Sequence, residues 1–212
     1  VIFDDIKFHL SKFLKLQESY FNIQDVDSPK FLRDLIHPDD YLLFTDQVEL
    51  RNYFGRWINN EININVTTFN YTKVFDDLFN DAKNKNPLIQ RNQKHRVKLR
   101  SVLHIHGFVE KEMILGVNDD SQILNSEFLK NQYIRASFIK EEFNKTVKNG
   151  NNSVFINKIN NANLIILFGS SMGDSDKIWW KSIANRINDD CKLIIFKKGP
   201  EVLPLQEHKL FK

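Results

Sequence analysis

Two uninterrupted apolar runs, LIILF at 164–168 and LIIF at 193–196, constrain this chain more than any other feature. Each is short enough for a strand and offers no polar residue to water, which suits strands covered on both faces. Between them lie a small-residue turn, FGSSMGDSD, and a helical pattern, KIWWKSIANRI, the order of a parallel β–α–β unit. Upstream, INVTTF (64–69) is β-branched and apolar. NYTKVFDDLFNDA then sets Val74, Phe75, Leu78 and Phe79 on one helical face. VLHIH reads as a further strand, and MILG as another across the FVEKE turn. The stretch between them and the preceding helix, NKNPLIQRNQKHRVKLR (84–100), reads as a polar, basic, solvated connection. The expected fold is α/β, a Rossmann-like, mainly parallel sheet over 62–212.

Residues 1–61 read as a helical segment packed on or inserted in that domain. In IFDDIKFHLSKFLKLQESYF the apolar positions Ile2, Ile6, Leu10, Phe13, Leu14 and Phe21 recur at helical spacings, the pattern of core-facing amphipathic helices. DVDSPK has turn composition. HPDD starts a second periodic run that continues through Phe54 and Trp57. Another helical stretch spans 121–148. The chain opens at Val1 inside helical pattern, so native sequence ahead of it is expected.

A hydrophobic share of 42% against 27% charged residues supports a sizeable core. A formal net charge of +3 leaves no strong field for nucleic acid, and no apolar run spans a bilayer. The lone Cys191 excludes a disulfide framework and a multi-cysteine zinc site, and fits a cytoplasmic location.

Chemistry concentrates at three strand ends: TTFNYT, HIHG and FGSSMGDSD. In open α/β sheets ligands bind beyond the carboxyl ends of the strands. Neighbouring parallel strands would bring Asn70, His106, Ser170 and Ser171 to one rim. Gly169 permits close backbone approach, and the helix start beyond it offers N–H groups to a phosphate or ribose. Asp174 and Asp176 favour a ribose diol over a pyrophosphate, or simply cap the helix. Alternation puts His104 and His106 on one side of their strand. His106, before a Gly, suits a general base or a hydrogen-bonded structural histidine. A metal reading of the pair would recruit Asp174 and Asp176; nothing in the sequence ties these to the histidines, and no metal is expected.

The ordered series TFNYT, HIHG with MILG, and LIILFGSSMGDSD, preceded by YFGRWINNEI, resembles the AbiH family of bacteriophage abortive-infection proteins. The resemblance runs from about residue 40 to 196. That family is in turn distantly similar to sirtuin-like, NAD-cleaving defence domains. The resemblance implies Asn70 on a nicotinamide ribose and His106 as base. It implies Gly169, Ser170 and Ser171 on the dinucleotide, with Thr68, Gly107, Asp174 and Asp176 beside them. Thr72 stands where the sirtuin-like pattern usually has an Asp. The zinc-binding cysteine pairs of deacylases are absent, as is a Gly-rich opening strand–turn–helix. The implied function is phage defence through binding and cleaving NAD or a related nucleotide at its N-glycosidic bond. The alternatives are a metal-dependent hydrolase or nuclease using the HxH pair, and a non-catalytic nucleotide-binding sensor. The expected partners are a nucleotide and a phage-encoded trigger, with self-association left open and neither membrane nor nucleic acid involved.

Overall fold

The computed structural model describes residues 2–56, 61–86, 90–91, 95–109, 111, 113–146, 150–188 and 190–196. Its contacts divide the chain into two units, Val1–Phe155 and Ile156–Lys212. The first opens with α1 (Ile2–Ser19), α2 (Ser28–Ile36) and α3 (Phe44–Gly55). Within DVDSPK, Asp27 caps α2 by accepting from the Lys30 amide at 2.9 Å, so helix begins inside the apparent turn. Leu50, Tyr53 and Phe54 of α3 are buried; Trp57 lies outside the described residues.

A β–α–β unit follows: β1 (Glu61–Thr68), α4 (Val74–Lys85) and β2 (Arg96–His104). The strands pair in parallel, from Glu61 opposite Arg96 to Thr68 opposite His104. Leu32 and Ile36 of α2, Ala82 of α4 and Val97 of β2 form the core, with Ile62, Ile64 and Leu99 packed against it. β2 thus begins inside the segment expected to be a connection; residues 87–89 and 92–94 of that segment lie outside the described residues. Arg96, Lys98 and Arg100 are exposed while Val97 and Leu99 turn inward, the period of a half-solvated strand.

Arg91 also departs from the solvated reading. Its side chain is 6% exposed and donates to Asp39 at 2.7 Å, while its guanidinium stacks 3.8 Å from the centre of the Phe54 ring. Arg51 donates to the other Asp39 oxygen at 3.0 Å. Burial pushes the Asp39 carboxyl up, but the hydrogen bonds from Arg91 and Arg51 outweigh it and hold the group below the usual range.

Three short helices, α5 (Ser126–Lys130), α6 (Gln132–Phe138) and α7 (Lys140–Thr146), occupy the next stretch, and α8 (Asn151–Asn160) crosses into the second unit. MILG is not a strand. Met113 and Ile114 are buried, yet their backbone is met by isolated bonds: the Ile114 amide to the His106 carbonyl at 2.8 Å and the Tyr71 hydroxyl to the Ile114 carbonyl at 2.9 Å. Next to it, Val117 makes a single bridge to Ile139.

The second unit holds β3 (Leu164–Phe168), α9 (Lys177–Arg186) and β4 (Lys192–Phe196), the strands again parallel and in register. Trp179 and Ile183 of α9 and Ile194 of β4 are buried. Leu164 to Leu167 are only half-buried and Phe168 is 70% exposed, so the apolar runs are not covered on both faces.

The Rossmann-like expectation is overturned. Among the described residues 57% are helical and 18% in strands, and the strands form two separate two-stranded sheets. Each apolar run finds one parallel neighbour through a helical crossover, but no described strand joins the pairs into one sheet. Among the described residues, no helix is long and apolar enough to cross a membrane.

Candidate functional site

The exits of β1 and β2 form one rim. Parallel pairing carries Thr68 to the level of His104, and the Ile105 amide donates to the Thr68 carbonyl at 3.2 Å. Beyond the strands the two segments stay together, with the Val109 amide donating to the Tyr71 carbonyl at 2.9 Å. Gly107 has φ of 71°, a left-handed turn that a side chain resists, and it reverses the chain directly after His106. Thr68 is buried and its hydroxyl accepts from the Asn70 amide at 3.1 Å, fixing the turn that carries Asn70.

The two histidines meet different partners. His104 Nε2 lies 2.7 Å from an Asp76 carboxylate oxygen, and its Nδ1 faces the Asn70 carbonyl at 3.4 Å. Its own carbonyl accepts from Asn151 at 3.0 Å. Asp76 sits in the first turn of α4, where an acidic side chain also suits the helix dipole. His106, 5% exposed, has Nε2 3.4 Å from the Lys140 ammonium, with the Phe69 ring edge-on at 5.5 Å and Tyr71 at 6.3 Å. Lys140 is buried at the start of α7, and Asn144, one turn on, is buried too. The rim therefore combines a cation, two imidazoles, a carboxylate, amides and aromatic faces. Such a set can bind a polar ligand with an aromatic or anionic part. Asp76→Ala should leave buried His104 without its acceptor and lower unfolding free energy by about 1–3 kcal/mol, read by denaturant titration.

Of the expected residues, Thr68, Asn70, His106 and Gly107 gather here. Gly169, Ser170, Ser171, Asp174 and Asp176 belong to the second unit, on the turn from β3 to α9. There Gly169 has φ of 63° and the Ser170 hydroxyl accepts from the Met172 amide at 3.1 Å. Asp174–Asp176 form a 3-10 turn, and Asp176 occupies the position preceding α9. Ser170 and Ser171 are exposed. Trp179 is core, whereas Trp180 donates from its indole to the Gly173 carbonyl at 3.1 Å.

Sequence reading missed Asp76 and Lys140. Asp76 supplies a carboxylate at this rim although Thr72 does not, and its signal was its place in the first turn of the helix after Asn70. Lys140 carries no local signal, since only the tertiary contact of α7 brings it to His106.

Among the described residues, no group of three or more His, Cys, Asp or Glu side chains comes together to hold a metal. His104 Nε2 is engaged by the Asp76 carboxylate. The mainly helical fold overturns the Rossmann-like hydrolase expectation. An open depression of about 360 Å³ lies elsewhere, along Asp77, Asn80, Asp81 and Asn84 of α4. Its acidic lining would repel a phosphate, and it takes in none of the rim residues. Burial pushes the Cys191 thiol up despite Arg186 nearby, which makes it a poor nucleophile.

No curated protein and no solved structure matches this chain. The family model described as bacteriophage abortive infection AbiH matches residues 3–197 and takes in every element of both units except the first residue of α1. The chain belongs to the AbiH family of bacteriophage abortive-infection proteins.

Proposed function

We propose that this AbiH protein serves phage defence by binding a nucleotide-type ligand at the β1–β2 rim, NAD being the first candidate. The carrying observation is the buried Lys140 ammonium beside His106, framed by the Phe69 and Tyr71 rings. A buried cation paired with an imidazole that aromatic rings flank favours a ligand that joins an anionic group to a planar base. Asn70 and Thr68 are assigned to the ribose hydroxyls, and Gly107 to close backbone approach. Gly169, Ser170, Ser171, Asp174 and Asp176 are assigned as a second polar turn to be tested separately. A binding role fits His106 better than a base does. Its Nε2 faces a cation and would have to exchange Lys140 for a substrate hydroxyl before taking a proton.

The test is calorimetric titration of NAD and of ADP-ribose into the full chain, with nicotinamide release followed in the same samples. Binding is expected, weakened at least about tenfold in His106→Ala and in Lys140→Met, and unchanged in Lys130→Met on the surface. Absence of binding, or variants that bind as the parent does, would sink the proposal. Nicotinamide release lost in His106→Ala would replace the sensor reading with a catalytic one.

A further inference from the structure

α1 carries two different apolar faces. Phe3, Lys7, Leu10 and Leu14 are half-buried and hold the helix to its own unit. The Phe3 ring lies 4.2 Å from Phe138, the Lys7 ammonium 4.7 Å from the Phe143 ring, and Glu18 accepts from the Lys73 amide. The second face is largely exposed among the described residues. Ile6, His9, Phe13, Leu16 and Tyr20 recur at alternating spacings of three and four, the a and d positions of a heptad pattern. Ile6, Phe13, Leu16 and Tyr20 are 52%, 56%, 51% and 71% exposed. This corrects the sequence expectation, in which Ile6 and Phe13 faced the core with Leu10 and Leu14. Helical period alone does not say which of two stripes packs inward.

We propose that this stripe is a self-association surface, along which α1 of one copy packs against α1 of a second. The heptad spacing selects the occupant, because the surface that interdigitates with an a/d seam is another helix bearing one. The area is sufficient. Four large side chains about half exposed present on the order of 500 Å² per chain, or about 1,000 Å² in a pair, the level specific interfaces reach. The helix is already ordered by its inner face, so pairing does not have to offset its folding entropy. Asp5 and Lys12 flank the stripe with opposite charges, which favours a protein partner over an anionic membrane surface.

Sedimentation velocity of the full chain tests this. Reversible dimer formation is expected between about 1 and about 100 µM. Phe13→Glu combined with Leu16→Glu should weaken it at least about tenfold, with unchanged circular dichroism and melting because both side chains are exposed. Lys15→Glu, exposed on α1 but off the stripe, should dimerise as the parent does. A parent that stays monomeric throughout the range, or a doubly substituted chain that still dimerises, overturns the proposal. So does a monomer that co-sediments with phosphatidylserine-containing vesicles through these residues.

Discussion

Replacing Asp39 by alanine is expected to lower the unfolding free energy of the first unit by about 3–5 kcal/mol, the usual cost of leaving a buried charge without its partner. The Asp39 side chain is 4% exposed and takes hydrogen bonds from Arg91 and Arg51. Arg91 is itself buried and donates a further bond to the Ile36 carbonyl at the end of α2. Removing the carboxylate strands that guanidinium between Phe54 and the α2 terminus. Thermal unfolding should shift by about 10 °C, since 1 kcal/mol moves a chain of this size by about 2–4 °C. The sign with pH follows from the depressed Asp39 carboxyl. Its contribution is fully present above the unfolded carboxylate value near 3.9, and is lost as pH falls through the lower folded value. The gap between parent and Asp39→Ala should therefore hold constant above about pH 5 and narrow in stronger acid. A gap that widens in acid would contradict the assignment. So would Asp39→Ala melting with the parent at neutral pH.

Gly116→Ala is the second large effect expected, and it reaches the rim. Gly116 has φ of 131°, and a Cβ there would lie 2.1 Å from the Phe138 carbonyl oxygen. The strained backbone and the clash cost about 1–3 kcal/mol each, and the obstacle is backbone rather than a flexible side chain. The adjoining bonds give the consequence. The Val117 amide donates to the Phe138 carbonyl at 2.9 Å, and the Lys140 amide donates to the Val117 carbonyl at 2.8 Å. Pushing the two segments apart moves the start of α7, and with it the ammonium that faces His106. Gly116→Ala should therefore melt well below the parent and, on the proposed nucleotide-binding role of the rim, bind NAD more weakly than its folded fraction explains. Gly55→Ala, whose added methyl meets nothing within 4 Å at the end of α3, should melt at or slightly above the parent. Equal melting of the two alanine variants would show that the contact at Phe138 does not constrain the fold.

The rim was legible in the sequence where its parts are local. TTFNYT and HIHG end two strands, whereas the alternation expected to carry both histidines stops at His104, where β2 ends. RVKLR was equally legible as an alternating strand, but its charge drew the reading toward a loop; a half-solvated strand turns its basic residues outward while Val97 packs inward. MILG failed for the opposite reason. Apolar composition shows that a segment is buried, and says nothing of whether a backbone ladder awaits it. Arg91 and Lys140 sit in segments of ordinary polar composition, and their burial is created by residues distant in the chain.

By itself the sequence determined the local units: helices from their period and caps, parallel strand pairs from apolar runs joined through helical crossovers, and the family from ordered strand-end motifs. Those are properties of neighbouring residues, set by backbone preference and side-chain spacing. The tertiary structure alone decided that the four described strands form two sheets, that His104 meets Asp76 while His106 meets Lys140, and which stripe of α1 faces the core. Each of those depends on contacts between segments far apart in sequence, where many pairings satisfy the same pattern and packing selects one.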